Sequence, residues 1–403
     1  MFLEIIIVII LGCLAGVVTG ITPGIHINMV SLLVVSSSAY LLNIFSLPSL
    51  GVFIISMAIT HTFLDIIPAI FLGAPNAETA LGVLPGHRLL LRGMGYEAVK
   101  LTVTGSLLGL ILALMLFPLF IFLVPKIYES LQIYMGWILL AVVIYMILDE
   151  RGLNAKFWAF LVFALSGILG IITLTMPNLN QPLFPLLSGL FGLGMLIVSL
   201  TKNVEIPKQN ITDSISVGKW ETAKSLFSGV FSGSLVSFFP GLGPAQATIL
   251  GSQIAGKLKT YSFLILVGSV NTVNMAVSLV SLYTLNKARN GAVLAIKEII
   301  TAIDTNILIL FVASILLASG IAAFLALYLA KLFAKIMEKV NYSFLCVSVI
   351  IFVALMVFYF SSWIGLLILT AATSIGIIPN LTNVKRSHSM GCLMLPVILF
   401  FIL

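Results

Sequence analysis

Charge is what this chain has least of. Asp, Glu, Lys and Arg make up 8% of its 403 residues, against 61% hydrophobic ones, and a water-soluble fold of this length has no means of covering its surface with so few. A separate soluble domain is excluded for the same reason, because the one clearly polar interval is 201–224. Cysteine is nearly absent too. Cys13, Cys346 and Cys392 stand far apart within apolar runs, which offers neither a disulfide framework nor metal-ligand spacing and leaves them as packing residues. There is no Gly-rich loop ending in Lys-Ser or Lys-Thr, no His-Glu-x-x-His and no Gly-x-Ser-x-Gly, so nothing points to ATP hydrolysis, zinc proteolysis or serine-hydrolase chemistry. His61 and Asp65 have the spacing of two metal ligands, but no third His or Cys accompanies them. Neither an enzyme nor a metal centre is expected.

Apolar length is present in quantity. Mean hydropathy is +1.22, and runs approaching the roughly 20 residues that cross a bilayer as helix recur from end to end. They fall near 2–20, 26–43, 49–72, 99–124, 131–148, 156–173 and 183–201, then near 224–239, 243–255, 261–284, 303–330, 341–358, 361–378 and 389–403. The expectation is an all-α, polytopic integral membrane protein with about 12–14 transmembrane or re-entrant helices. The short runs 243–255 and 389–403 are the re-entrant candidates. Residues 1–20 have the length of a signal-peptide core, but Glu4 replaces a basic n-region and no cleavage site precedes Pro23, so a retained first helix is expected.

The chain is written twice. A shift of 217 positions lays Gly12, Gly16, Pro23 and Gly24 on Gly229, Gly233, Pro240 and Gly241, and a weaker match pairs Trp158 with Trp363 and Thr60 with Asn271. The reading is repeat 1 over 1–200, a cytoplasmic linker over 201–224 and repeat 2 over 225–403. Seven runs per repeat is an odd number, so the repeats lie in the membrane with opposite orientation. Charge supports this independently. With 201–224 inside, segments 85–100, 149–156, 201–224, 256–260, 331–340 and 380–388 gather 16 of the 20 Lys and Arg on the cytoplasmic side, as the positive-inside rule requires of a multi-pass protein of the cell membrane. Both termini then lie outside. The excess of 20 basic over 13 acidic residues needs no nucleic-acid partner; the partner is the lipid bilayer.

Helix breakers at matched places in two inverted repeats are the sequence mark of a secondary transporter's binding site. Pro removes a backbone donor and Gly loosens the chain, and unpaired main chain at membrane depth costs several kcal/mol per group unless protein, water or a ligand satisfies it. A half-helix starting after the break also aims its N–H groups into the gap, which suits a carboxylate. Thr22, Pro23, Gly24, His26 and Asn28 form the first break; Ser237, Pro240, Gly241, Gly243, Pro244 and Gln246 form the second. Another pair of interruptions is Gly73, Pro75, Asn76 and Glu78 in one half, and Asn286, Lys287, Arg289 and Asn290 in the other. Lys287 and Arg289 are suited to an oxyanion. Asp65, with His61 one helical turn away, is an ionisable residue at membrane depth and hence a candidate for a coupling ion, with Glu78 a second. Asn271 and Asn274 share one helical face and join the list, although amides inside a bundle also serve simply to hold helices together.

At these residues the chain resembles the large membrane subunit of the tripartite tricarboxylate transporters, the TctA-type permeases, in a short, archaeal-like form. Gly20 to Gly24 is similar to the Gly-x-x-Pro-Gly that ends that family's first helix, Leu84 to Lys100 parallels the text after its first Gly/Pro/Glu-rich segment, and Pro240 to Gly243 parallels a later Pro-Gly. The family typically has a Pro-Gly-Glu-Pro-like segment where this chain has Pro75, Asn76, Ala77 and Glu78, and a second Gly-x-Pro-Gly where it has Leu285 to Arg289. The resemblance implies a secondary permease, with a small membrane subunit and an extracytoplasmic binding protein as partners. The combined expectation is a carrier of a small organic anion, a di- or tricarboxylate, coupled to Na⁺ or H⁺ by alternating access. Bound Na⁺ is the one cofactor considered, and a homodimer is compatible with the sequence. The alternatives are an exporter or flippase of a phosphate-bearing lipid or other anionic metabolite and, from other classes, an intramembrane enzyme or a scaffold.

Overall fold

The computed structural model of the chain describes residues 2–23, 27–74, 78–177, 179–200, 207–212, 215–239, 242–300, 302–337 and 342–402. All regular structure among them is helical. The first half comprises α1 (Phe2–Ile21), α2 (Ile27–Ser36), α3 (Ser38–Leu41), α4 (Leu47–Leu64), α5 (Ile66–Phe71), α6 (Ala80–Leu90), α7 (Gly95–Met115), α8 (Phe117–Leu148), α9 (Leu153–Thr175), α10 (Leu183–Leu187), a π-helical turn (Ser188–Leu193) and α11 (Gly194–Leu200). The second comprises α12 (Lys219–Ser237), α13 (Pro244–Ala255), α14 (Thr260–Leu285), α15 (Gly291–Ile299), α16 (Thr305–Met337), α17 (Tyr342–Thr382), a 3-10 turn (Arg386–Met390) and α18 (Gly391–Ile402). Among the described residues, seven segments are long and apolar enough to cross a membrane, among them Leu47–Phe71, Gly95–Met115 and Thr260–Leu285, and four shorter apolar helices accompany them. The chain is a multi-pass membrane protein.

Several expected boundaries move. The run 26–43 divides into α2 and α3. The loop expected near 125–131 is helix: α8 passes through Pro125, and the chain breaks instead at Leu116, where Pro118 has no N–H to offer the Leu114 carbonyl. α16 continues to Met337, and the runs 341–358 and 361–378 join in α17 across a kink at Ser362, where φ is +54°. The run 243–255 does remain short. α13 has 12 residues, about 18 Å of rise, against the ~30 Å of a hydrocarbon core.

The chain forms two compact units, and each takes segments from both halves of the sequence. Unit 1 is Met1–Ile67, Val99–Glu129 and Ser214–Lys331; unit 2 is Pro68–Ala98, Ser130–Asp213 and Leu332–Leu403.

In unit 1 the matched glycines do matched work. Gly12 lies against Phe53 and Ser56, Gly16 against Met57 and Thr60, and Gly20 against Leu64. The contact numbers climb together along both helices, so α1 and α4 run parallel and α2 with α3 returns the chain between them. Gly229 against Ser269 and Gly233 against Val273 set α12 parallel to α14 in the same way, with α13 returning and Gly251 seated on Ser228 and Ser232. The packing therefore aligns Thr60 with Val273, two residues beyond the match with Asn271 expected from sequence. α7 crosses α14 where Gly105 meets the Ile265 backbone and Gly268 meets that of Thr102, and the Ser106 hydroxyl donates to the Gly268 carbonyl at 3.0 Å. Without hydrophobic drive between helices in lipid, such small-residue seams are how helices approach closely. Glu4 gains a reason as well. Its carboxylate accepts from the Ser46 N–H and the Ser49 hydroxyl, each at 2.7 Å, and so caps the start of α4 from a distance.

In unit 2, Gly170 and Gly391 bring α9 and α18 into backbone contact, and Gly376 of α17 is seated on the π-helical turn at Leu190. Leu196, Cys346, Val353, Val357 and Leu369 form its apolar core. The interval read as a linker is partly pinned here. Gln209 accepts from the Gly95 N–H at 3.0 Å and donates to the Leu90 carbonyl at 3.0 Å, while the Asn210 N–H reaches Gly93 at 2.7 Å. His87, fully enclosed in α6, donates Nδ1–H to the Ile70 carbonyl at 2.9 Å. Burial, with the nearby Arg386 charge as a smaller contributor, pushes its imidazole down to about 4 from an ordinary 6.5.

Candidate functional site

Among the described residues of unit 1, Asp65 is an acidic group deep among apolar side chains, and it stands where a helix ends. Pro68, one turn beyond Leu64, has no N–H to offer the Leu64 carbonyl, and α4 stops there with Asp65 as its C-cap. Asp65 is 2% exposed. The Asn271 amide of α14 donates to its Oδ2 at 2.9 Å and more weakly to the Thr62 carbonyl at 3.4 Å. Thr62 donates to Ile59 at 2.8 Å and lies 3.1 Å from the Thr272 hydroxyl. His61 Nε2 is 3.9 Å from Asp65 Oδ2, and His61 Nδ1 is 3.1 Å from the Thr19 hydroxyl of α1. Because Thr19 spends its own proton on the Gly16 carbonyl at 3.2 Å, His61 Nδ1 carries the hydrogen in that contact. The Nε2 atom is then the one that faces Asp65. Asn271 turns its N–H₂ to the carboxylate, so its Oδ1 points elsewhere, buried and without a partner; Asn274 Oδ1 is in the same condition. Spare oxygen acceptors beside a carboxylate are the donor set of a proton or a hard monovalent cation.

α14 carries this polarity further. Asn271, Asn274, Ser278 and Ser281 follow one another at intervals of three and four, a single face of a helix that is otherwise apolar and buried. Ser278 donates back to the Asn274 carbonyl at 2.6 Å. Ten residues separate Asn271 from Ser281, about 15 Å of helix.

The far end of that face is cationic. α14 closes at Asn286, in the left-handed conformation with φ +51° that Asn tolerates at a helix C-terminus, and Lys297 donates to the Asn286 carbonyl at 2.7 Å. The turn brings Arg289 back over the helix. Its Nε donates to Ser281 Oγ at 3.3 Å and its Nη2 to the Tyr128 hydroxyl at 2.8 Å, while Lys287 Nζ stands 4.4 Å from the centre of the Tyr128 ring. Tyr128 in turn stacks on Phe239 with centroids 5.7 Å apart, at the residue before the second Pro-Gly. Among the described residues no carboxylate pairs with either cation. Beyond the break, α13 starts on Gly243 as N-cap with Pro244 at its first turn, and the Gly243 N–H is taken by Gln246 at 3.1 Å. One face of one helix thus joins a set of spare acceptors to a pair of cations held at Tyr128 next to a helix break.

The structure sorts the expected residues. Asp65, His61 and Asn271 meet; Asn274 continues their line; Lys287 and Arg289 meet at Tyr128. Asn286 serves as a backbone turn. Asn290 caps α15 by accepting from the Val293 N–H at 2.9 Å. Thr22 closes α1 on the Val18 carbonyl at 3.1 Å, with Pro23 next. Asn28 stands on α2. Gly73 adopts φ +64° after α5, and Glu78 lies in the turn before α6, both in unit 2 with Leu72 and Ala74. Gly24, His26, Pro75, Asn76, Pro240 and Gly241 lie outside the described residues. Thr62, Thr272, Ser281, Tyr128 and Phe239 were not singled out as site residues from sequence. Tyr128 had no local signal; Ser281 could have been found by extending the spacing of Asn271 and Asn274 by seven. Among the described residues no three His, Cys, Asp or Glu side chains gather as metal ligands.

Over residues 6–391 the sequence matches the model of the tripartite tricarboxylate transporter TctA family. The chain belongs to that family. It is a transporter component. An uncharacterized protein of Methanocaldococcus jannaschii is 33% identical over 403 residues, covering 98% of either chain. No solved structure matches this TctA-family chain.

Proposed function

We propose that the protein is a secondary active permease for a small organic anion, a di- or tricarboxylate, coupled to Na⁺ or H⁺. The observation that carries this reading is the polar face of α14, which connects Asp65 and Asn271 to Arg289 and Tyr128 within one compact unit. Arg289 and Lys287 receive the carboxylate, with the opening of α13 after the second Pro-Gly adding its N-terminal dipole. Asp65, with His61 and the spare oxygens of Asn271 and Asn274, takes the coupling ion. A cation at Asp65 and an anion near Ser281 lie on the same helix, about 15 Å apart. Each lowers the desolvation cost of the other only weakly at that range, so coupling comes from both favouring one conformation of the helix. The two repeats, oppositely oriented, rock to expose these sites in turn. The cell membrane is the location, with both termini outside. The family's name also argues for two further components, a small membrane subunit and an extracytoplasmic binding protein.

Uptake of radiolabelled citrate and succinate into proteoliposomes, under an imposed Na⁺ gradient and separately under a pH gradient, tests the proposal. Gradient-driven accumulation is expected, with Asp65→Asn losing the response to the gradient and Arg289→Gln losing substrate. Uptake that ignores both gradients and both substitutions would remove the reading.

A further inference from the structure

Unit 2 holds a second cationic site, built differently from the one at Tyr128. Arg386 opens the 3-10 turn that follows α17, and although it is an arginine only 7% of it is exposed. Its Nε donates to Asn380 Oδ1 at 3.1 Å, and its Nη1 to the Phe191 carbonyl at 3.2 Å. That carbonyl is available because it lies in the π-helical turn Ser188–Leu193, a geometry that disturbs the regular hydrogen-bond ladder and recurs at functional sites. Nη2 is buried and has no partner. The same holds for Asn380 Nδ2, and its identity follows from the fact that Oδ1 is the atom facing Arg386. Arg88, on the exposed side of α6, is near enough for its charge to act on that of Arg386. The nearby acids are committed elsewhere: Glu150 to His388 at 2.9 Å and to the Lys385 N–H at 3.1 Å, and Asp149 to the Lys385 ammonium.

A buried guanidinium normally has a carboxylate partner, because an unpaired charge in a low-dielectric site is costly. Among the described residues, the unfilled valences of Arg386 and Asn380 are both donors. A planar arginine fork with an amide N–H₂ beside it is the arrangement that takes a carboxylate or phosphate oxygen pair.

We propose that Arg386 and Asn380 bind an oxyanion, carboxylate or phosphate, at a site in unit 2 separate from Lys287 and Arg289. The segments 85–100 and 380–388 belong by charge bias to the cytoplasmic side, so the ligand is a soluble cytoplasmic anion or the headgroup of an inner-leaflet lipid. This inference does not depend on the transport reading.

The test uses the full-length protein in phosphatidylcholine nanodiscs, with thermal unfolding followed by tryptophan fluorescence. Inorganic phosphate is titrated against chloride at matched ionic strength, and a parallel set of nanodiscs contains phosphatidylglycerol. A saturable rise of a few degrees in the unfolding midpoint is expected with an oxyanion, lost in Arg386→Gln and kept in Arg289→Gln. A rise with dissolved anions identifies a soluble ligand; a rise confined to phosphatidylglycerol identifies a lipid headgroup. Asn380→Asp guards against misfolding of the arginine variant, since it places a carboxylate beside Arg386. Its midpoint without anion should already be raised, and added oxyanion should raise it no further. No oxyanion or lipid dependence in the unaltered protein, or an increment undiminished in Asn380→Asp, would overturn the proposal.

Discussion

The side-chain amide of Asn271 donates to the carboxylate of Asp65 at 2.9 Å across 206 residues of chain. The pair joins the two longest buried helices of unit 1, one from each half of the sequence, at the point where α4 gives way before Pro68. Removing the amide takes a hydrogen-bond donor from a buried carboxylate, whereas removing the charge leaves two groups that still hydrogen-bond.

The two sides of that pair should therefore respond differently. Asn271→Leu is expected to destabilise the protein by about 1–3 kcal/mol, and Asp65→Asn by less than 1 kcal/mol. Only the second should leave a folded protein indifferent to Na⁺ and pH. Thermal unfolding of both variants, with and without an ion gradient in the transport assay, reads the difference; equal losses of stability would argue against the asymmetry.

At the crossing of α7 and α14 there is no room for a methyl group. A Cβ on Gly268 would fall on the Thr102 backbone and one on Gly105 on that of Ile265, whereas Gly320 in α16 faces open space. Gly268→Ala and Gly105→Ala should each cost several kcal/mol and sharply reduce the yield of monodisperse protein, because backbone cannot move aside as a side chain can. Gly320→Ala should be neutral, or stabilising by up to about 1 kcal/mol through helix propensity. Size-exclusion profiles of the three variants decide the matter.

Tyr128 does two things that substitution separates. Tyr128→Phe keeps a ring beneath Lys287 but takes away the acceptor of Arg289, and it should raise the KM for the transported anion by about tenfold or less, a 1–1.5 kcal/mol effect. Tyr128→Ala removes both supports and should act more like Arg289→Gln, with loss of uptake. Kinetics in which phenylalanine and alanine are equivalent would show that the hydroxyl alone matters.

His87 makes stability pH-dependent in a defined direction. Its imidazole stays neutral in the fold down to about 4, while an unfolded histidine takes up a proton near 6.5. Between those values the unfolded state binds more protons, so the contribution is complete above about 6.5 and lost as the pH falls. The loss amounts to about 3 kcal/mol by pH 4 and about 2 by pH 5. The drop in unfolding midpoint from pH 7 to pH 5 should shrink in His87→Gln, whose neutral amide can still donate to Ile70. An unchanged drop would assign the acid sensitivity to other groups.

Much of this was legible without coordinates because some physical constraints act locally. Scarce charge and long apolar runs dictate a helical membrane protein, since lipid leaves the backbone no partner but itself. The glycines at 12, 16, 229 and 233 announce close helix contacts, and each is seated against a neighbouring helix, α1 on α4 and α12 on α14. Asp65 was conspicuous because an acid among apolar residues is costly anywhere in the chain. Helix ends were less legible: Pro125 breaks nothing, whereas the residues before Pro118 do break, because a proline's effect depends on whether neighbours supply what it withholds.

What the sequence determined by itself is the solvent this protein lives in, its helices and the residues that would be expensive to bury. Tertiary structure alone decided which of those expenses are shared. Asn271 meets Asp65, Arg289 meets Tyr128 and Arg386 meets the Phe191 carbonyl over separations of 206, 161 and 195 residues. Helical periodicity says which face a side chain occupies but not which distant face it will meet, and the compact units, each drawn from both halves of the chain, settle that by how their glycine seams allow the helices to cross.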